Sequence, residues 1–219
     1  MRGADALAQA LKHCGCDTMF ALSGNQIMPI FDACPDASIR LIHTRHEAAA
    51  GFMAEGHAQI TGQPGVALVT AGAGLGNAIA PLLTARASQT PLILLSGDSP
   101  VAQDGMGAFQ EMDQVGLTRS ATKLSRRITR AEDLAHALTE AWALARSGQP
   151  GPVHLSLPAD VLAAQVTAPN FGPPAAPPAL PDVADILAAL NKAETPLILL
   201  GPGLRGFAAA LSHLGVPSV

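Results

Sequence analysis

An uninterrupted apolar run, Leu92-Ile93-Leu94-Leu95, limits the folds open to this chain more than any other feature. The run has the length of a strand and shows no alternation of polar and apolar residues, which is typical of strands buried on both faces of a parallel sheet. Short apolar runs alternate with helical patterns over about the first hundred residues. This order predicts a doubly wound α/β domain, with a mostly parallel sheet and helices on both faces.

Apolar periodicity and turn residues set the expected bounds of the elements. We expect helices at 4–13, 26–33, 45–61, 74–88 and 131–146, and strands at 18–22, 39–43, 66–70, 91–96 and 152–157. The stretch 97–123 shows no regular pattern. Five helices that alternate with five strands agree with one large domain.

The composition changes after the last of these strands. Residues 1–160 form the predicted main domain, and residues 161–181 are rich in Pro and Ala, as in a semi-extended linker between domains. Residues 182–219 begin with a predicted helix at 182–191 and a short apolar run at 196–200, which predicts a strand. A unit of that size has too few residues for a complete core. We therefore expect it to be the incomplete start of a second α/β domain, and the chain to be a fragment of a longer protein.

Charge and composition argue against several classes of partner. The chain has 13 Lys and Arg against 17 Asp and Glu and contains no Tyr, so it offers neither a basic surface nor stacking platforms for nucleic acid. No apolar run reaches the length that spans a membrane, and no secretory signal opens the chain. Cys14, Cys16 and Cys34 lack the spacing of a zinc site or a disulfide framework. We expect a cytoplasmic protein that binds no nucleic acid or membrane and provides no metal ligands in this chain.

Two glycine-rich turns allow more than one interpretation. The segment 72–77 (Gly-Ala-Gly-Leu-Gly-Asn) follows a predicted strand and opens a helix, a geometry that suits an anion or a close-packed ligand. Asn77 stands where the dinucleotide-binding fingerprint has its third glycine. Gly201, Gly203 and Gly206 match that fingerprint formally, but no acidic ribose partner follows them. A plain turn between strand and helix remains the alternative for both segments.

A carboxylate stands at the start of a predicted helix, in Arg45-His46-Glu47, and small apolar residues follow it. An acidic residue in the first helical turn interacts favourably with the helix dipole, which is a sufficient structural reason for it. A single carboxylate beside a wall of small side chains would also suit a flat heteroaromatic ligand. Taken alone, these residues favour the structural reason.

Eight segments in register resemble one known family. They are residues 20–29, 45–47, 62–66, 70–77, 91–97, 108–111, 122–123 and 151–155. Their order resembles the N-terminal pyrimidine-binding domain of thiamin-diphosphate-dependent enzymes, most of all that of acetolactate synthase large subunits. The resemblance extends from about Gly3 to Val161 and implies that fold for the main domain.

The resemblance implies a set of residues that bind the cofactor. Glu47 would be the catalytic carboxylate, which hydrogen-bonds N1′ of the aminopyrimidine and so promotes loss of the proton from C2 of the thiazolium. Gly72 and Ala73 would form one side of the pyrimidine slot, although the subgroup commonly has Pro at position 73. Asn77 would make a polar contact, and Gly24 would lie close to the cofactor in the first loop.

The resemblance also implies residues that contact the substrate. Phe109 and Gln110 would face the reaction centre, with Gln110 as a second catalytic residue, and Lys123 would lie at the entrance. Asn25 and Gln26 depart from the family, which often has Gly and Ala there. These larger polar side chains would narrow the space over the thiazolium, and they point to another donor or acceptor than that of acetolactate synthase.

The implied activity is that of a thiamin-diphosphate-dependent 2-oxo acid carboligase or decarboxylase, a transferase or lyase. The family holds Mg²⁺ and the diphosphate in a C-terminal domain whose motif this chain lacks, so we expect the fragment to be inactive alone. The site forms between subunits, which implies a homodimer or homotetramer, and FAD is left open as a further cofactor. The alternatives are an oxidase, an acyl-CoA lyase or a diketone hydrolase of the same family, and a non-catalytic nucleotide-binding module.

Overall fold

The computed structural model describes residues 1–171, 181–199, 201 and 204. The chain divides into two compact units, Met1–Phe171 and Gly172–Val219. The first unit contains every residue that the sequence assigned to a site. No helix among the described residues combines the length and the apolar character needed to cross a bilayer.

In the described part of the chain, six strands form one sheet. They are β1 (Thr18–Ala21), β2 (Arg40–His43), β3 (Gly65–Val69), β4 (Leu92–Asp98), β5 (Leu124–Arg127) and β6 (Pro152–Pro158). The order across the sheet is β2-β1-β3-β4-β6-β5, and each pairing is parallel. The chain runs outward from β1 to β2 and then returns to β3, so the carboxyl ends of β1 and β3 flank a topological switch point.

Helices of the first unit cover both faces of the sheet. They are α1 (Gly3–His13), α2 (Met28–Asp36), α3 (Glu47–Thr61), α4 (Ala73–Asn77), α5 (Ile79–Ala87), α6 (Gln114–Thr118), α7 (Leu134–Arg146) and α8 (Ala159–Ala163). Along β4, Ile93 and Leu95 pack in one core layer with α1 and α7, whereas Leu92 and Leu94 pack in a second layer with α3 and α5. Because β4 is buried on both faces, it needs no polar alternation, and the predicted α/β fold is confirmed.

A divided helix and an additional strand differ from the sequence prediction for physical reasons. The helix expected at 74–88 is divided at Ala78, whose ψ of 6° leaves the helical region. Pro81 has no N–H to continue the hydrogen-bond ladder, so the chain restarts as α5. Strand β5 was not predicted, because its sequence Leu-Ser-Arg-Arg carries one apolar side chain and lies at the sheet edge.

Residues 161–171, assigned to the linker by composition, pack onto the first unit. Val166 exchanges backbone hydrogen bonds with Met1, with its N–H donating at 2.9 Å. The Phe171 ring stacks on His13 with centroids 4.3 Å apart. The first compact unit extends to Phe171, and the domain boundary at residue 160 stays a prediction.

The second unit contains helix α9 (Ala184–Lys192), near the predicted helix at 182–191. Residue 200 of the predicted strand at 196–200, and the glycines at 203 and 206, lie outside the described residues. Whether this unit starts a second α/β domain stays a prediction.

Candidate functional site

The switch point between β1 and β3 brings several of the predicted residues together. Gly24 follows β1, and Gly72 follows β3, so both lie at the carboxyl edge of the sheet. A Cβ atom at position 24 would collide with the side chain of Thr70. Glycine at this position therefore permits the close approach of the loops after β1 and β3. We call the space between these two loops and the start of α3 the crevice.

Glu47 is the first residue of α3, and it lies half-buried beyond the carboxyl end of β2. The helix begins there because the His46 ring caps it, with Nδ1 accepting a hydrogen bond from the Ala48 N–H at 3.1 Å. Asn77 Nδ2 donates to Glu47 Oε2 at 2.9 Å. The other oxygen, Oε1, has no hydrogen-bond partner among the described residues, and a Cβ atom at Gly74 would lie 3.4 Å from it. One carboxylate oxygen is thus fixed, and the other faces a glycine.

The turn after β3 is shaped by Gly72 and by the residue that covers it. Gly72 has φ +62° and ψ −117°, a conformation that glycine adopts without steric cost. A Cβ atom there would lie 2.9 Å from Cβ of Gln110. Ala73 begins α4 and is exposed. The absence of a side chain at position 72 therefore lets Gln110 approach the turn.

The loop after β4 carries Phe109 and Gln110 to the same edge. Phe109 is 75% exposed, whereas Gln110 is half-buried and has φ +64°. The carboxylate of Glu111 accepts hydrogen bonds from the N–H groups of Gly105, Gly107 and Ala108, and these bonds lower its pKa. Glu111 therefore holds the loop that presents the two predicted residues.

Gln114 is a buried support of the crevice that the sequence did not reveal. Its Oε1 accepts from the Gly72 N–H at 3.3 Å, and its Nε2 donates to the Gly97 carbonyl at 2.9 Å and to Ser156 Oγ at 3.0 Å. One side chain therefore connects the turn after β3 to β4 and β6. The detectable signal for its helix was Asp113, whose carboxylate caps α6 by accepting from the Gly116 N–H at 2.7 Å.

Lys123 lies apart from the other predicted residues, at the amino-terminal end of β5 and therefore at the opposite edge of the sheet. Its ammonium donates to the carbonyls of Leu144, Ser147 and Gln149 at 2.6, 2.7 and 2.9 Å. Burial lowers the pKa of Lys123, but three carbonyl acceptors favour the charged form. The Lys123 ammonium thus binds carbonyl groups at and just after the carboxyl-terminal end of α7. Its predicted position at the entrance of the active site stays a prediction.

Comparison with known proteins gives one family and several relatives. Residues 1–117 match the family described as thiamine pyrophosphate enzyme, N-terminal TPP binding domain. The acetolactate synthase isozyme 1 large subunit of Escherichia coli (strain K12) is 34% identical over 97% of this chain and 39% of that protein. The 2-hydroxyacyl-CoA lyase 2 of Bos taurus is 41% identical over 73% of this chain and 25% of that protein.

A third relative is the mitochondrial acetolactate synthase catalytic subunit of Saccharomyces cerevisiae, which is 42% identical over 68% of this chain and 22% of that protein. The chain thus spans between 22% and 39% of the length of these three curated relatives.

Proposed function

This chain belongs to the thiamine pyrophosphate enzymes, and from that membership we propose that the crevice between β1 and β3 binds the aminopyrimidine of thiamin diphosphate. The Glu47 carboxylate carries the proposal, because Asn77 fixes one oxygen and the other has no partner among the described residues. That oxygen can accept a hydrogen bond from a ring nitrogen. The glycine at position 74 leaves space beside it, since a Cβ atom there would lie 3.4 Å from that oxygen.

Thiamin diphosphate, when bound, supplies the carbanion chemistry that breaks and forms bonds next to the carbonyl of a 2-oxo acid. Glu47 would hold a proton at the pyrimidine ring, through a hydrogen bond to a charged group worth about 1.5–3 kcal/mol. Asn77 keeps the carboxylate turned toward the crevice. Mg²⁺ would pair with the diphosphate, held by residues other than those of the crevice.

As substrate we propose a small 2-oxo acid, which the complete protein would decarboxylate or join to a second carbonyl compound. Identities of 34% and 35% to two acetolactate synthase large subunits, over 97% and 93% of this chain, support this assignment. A 2-hydroxyacyl-CoA is the second candidate. It is favoured by the 41% identity to a 2-hydroxyacyl-CoA lyase 2.

A substrate comparison separates the two candidates. The complete protein, supplied with thiamin diphosphate and Mg²⁺, is offered either pyruvate or a 2-hydroxyacyl-CoA, and the products are identified by mass spectrometry. Cofactor-dependent release of CO₂ from pyruvate would support the 2-oxo acid. Cofactor-dependent cleavage of the 2-hydroxyacyl-CoA between its thioester carbonyl and its hydroxyl-bearing carbon, which gives formyl-CoA and an aldehyde, would support the second candidate if pyruvate does not react. Turnover of neither compound, together with no calorimetric binding of thiamin diphosphate, would contradict the proposal.

We further propose that the complete protein is a homodimer or homotetramer whose second subunit covers the crevice. Phe109 is 75% exposed beside Gln110, and Phe52 and Met53 on the helix that starts with Glu47 are 44% and 41% exposed. Large apolar side chains exposed around a site are typical of a surface that a partner covers. Light scattering should therefore give at least twice the mass of one chain.

A further inference from the structure

Gln26 lies buried beneath the crevice and is held at both polar atoms of its side chain. It belongs to the 3₁₀ turn Asn25–Ile27, directly after β1, and is 6% exposed. Thr70 Oγ1 donates to Gln26 Oε1 at 2.6 Å, and Gln26 Nε2 donates to Gln110 Oε1 at 2.8 Å. A Cβ atom at Gly97 would lie 2.7 Å from Cβ of Gln26, so the side chain also packs directly on the backbone of β4.

The residue that accepts this hydrogen bond has a strained backbone. Gln110 has φ +64°, in the left-handed region, which is sterically unfavourable for a residue with a Cβ atom. Such conformations persist where the surroundings determine them, often at functional sites. Among the described residues, the Gln26 side chain is the one that hydrogen-bonds to the Gln110 side chain. Its fixed position under the loop therefore helps to determine how Gln110 is presented.

We propose that Gln26 is a positioning residue, which engages the oxygen of the Gln110 amide and leaves the Gln110 N–H groups available to the crevice. In the structure the Gln26 amide is oriented with its oxygen toward the Thr70 hydroxyl, which donates to it, and with its N–H groups toward Gln110. This inference rests on the proposed function, because a 2-oxo acid offers acceptor oxygens and needs N–H donors. The amide at position 26 would thus determine whether Gln110 binds substrate as a donor or as an acceptor.

The direction of the hydrogen bond can be tested without any turnover. The 219-residue chain is labelled with ¹⁵N in glutamine, and exchange of the side-chain amide protons with water is measured by NMR. The resonances of Gln26 and Gln110 are assigned by their loss in Gln26→Met and Gln110→Ala. The wild-type chain should show a protected Gln26 amide and a fast-exchanging Gln110 amide. The opposite pattern would overturn the proposal. This comparison uses the wild-type chain, so it does not depend on whether a charged variant folds.

A charge substitution should reverse the pattern. In Gln26→Glu the side chain can only accept, so the Gln110 amide must turn to donate, and its protons should exchange roughly tenfold more slowly than in the wild type. Gln9 is exposed on α1, and Gln9→Glu is the matched control that should leave the Gln110 resonances unchanged. Unchanged Gln110 exchange in a folded Gln26→Glu chain would also overturn the proposal.

Steady-state kinetics on the complete protein then test the consequence for substrate. Gln26→Met and Gln110→Ala should each raise the KM for the 2-oxo acid about tenfold, and the double variant should be no worse than either one, since both remove the same contact. Multiplied effects would contradict a positioning role. If the wild-type protein turns over no 2-oxo acid, the proposed function fails, and the amide exchange still decides the direction of the Gln26–Gln110 bond.

Discussion

His154 makes the stability of this fold depend on pH. The residue lies in β6 with no exposed surface, and Nε2 is 2.8 Å from Ser96 Oγ. Nδ1 is 2.8 Å from Ser125 Oγ and 3.0 Å from Thr118 Oγ1. Burial lowers the pKa of His154 from 6.5 to about 3, because the imidazolium would lose its hydration in the core. The histidine is therefore neutral in the folded chain at any pH near neutrality.

The sign and size of the effect follow from linkage. Below pH 6.5 the unfolded chain binds a proton at this histidine that the folded chain does not bind. The free energy of unfolding is therefore highest above pH 6.5 and falls by about 1.4 kcal/mol for each pH unit below it. The loss attributable to His154 is about 2 kcal/mol at pH 5, and it reaches its limit of about 5 kcal/mol near pH 3.

Urea unfolding at pH 7 and pH 5 measures this loss directly. Between these pH values the wild-type chain should lose about 2 kcal/mol more than His154→Gln, because groups other than position 154 titrate equally in both proteins. The exposed His136 provides the matched control, and His136→Gln should behave like the wild type. Equal losses in the wild type and His154→Gln would refute the argument from burial.

Two further substitutions test contacts at opposite edges of the sheet. Lys123→Met should lower the free energy of unfolding by about 2 kcal/mol, since three carbonyls at the end of α7 lose an ammonium donor. A loss below about 0.5 kcal/mol in urea titrations would contradict this stabilising role of Lys123. Asn77→Ala should weaken calorimetric binding of thiamin diphosphate to the complete protein about three- to tenfold, because Glu47 loses its fixed donor. Asn170 is exposed, and Asn170→Ala is the control that should bind the cofactor like the wild type. Equal affinity of Asn77→Ala and the wild type would contradict a contribution of Asn77 to cofactor binding.

The parallel sheet was predictable because its central strands are buried on both faces. Strands β3, β4 and β6 are buried at every position, and β3 and the first four residues of β4 carry continuous apolar runs. In β6 the apolar residues are interrupted by His154 and Ser156, which are buried with hydrogen-bond partners. Strand β5 has half-buried residues and two arginines, so an apolar pattern cannot reveal it. The break before α5 could have been expected from Pro81 alone, since a proline in that position interrupts the helical ladder.

The candidate site was predictable where its residues lie in recognisable segments. Glu47 starts a capped helix, and Gly72 and Asn77 belong to one glycine-rich turn. The sequence indicated Gln26 only as a departure from the family, and its contact with Gln110 could not be found, because the two residues lie 84 positions apart. A single glutamine has no periodicity that would indicate which loop it contacts. The contacts of Lys123 with carbonyls 21 to 26 residues away could not be predicted from the sequence for the same reason.

Exchange of the C2 proton of thiamin diphosphate for deuterium tests most directly whether the Glu47 carboxylate serves the cofactor. The measurement compares the complete wild-type protein, Glu47→Gln and, as a matched control at an exposed acidic residue, Glu132→Gln, each with thiamin diphosphate and Mg²⁺. Glu47→Gln should slow the exchange about a hundredfold or more, as expected when a group that handles the proton is lost, whereas Glu132→Gln should match the wild type. Equal exchange rates in the wild type and Glu47→Gln would contradict the account.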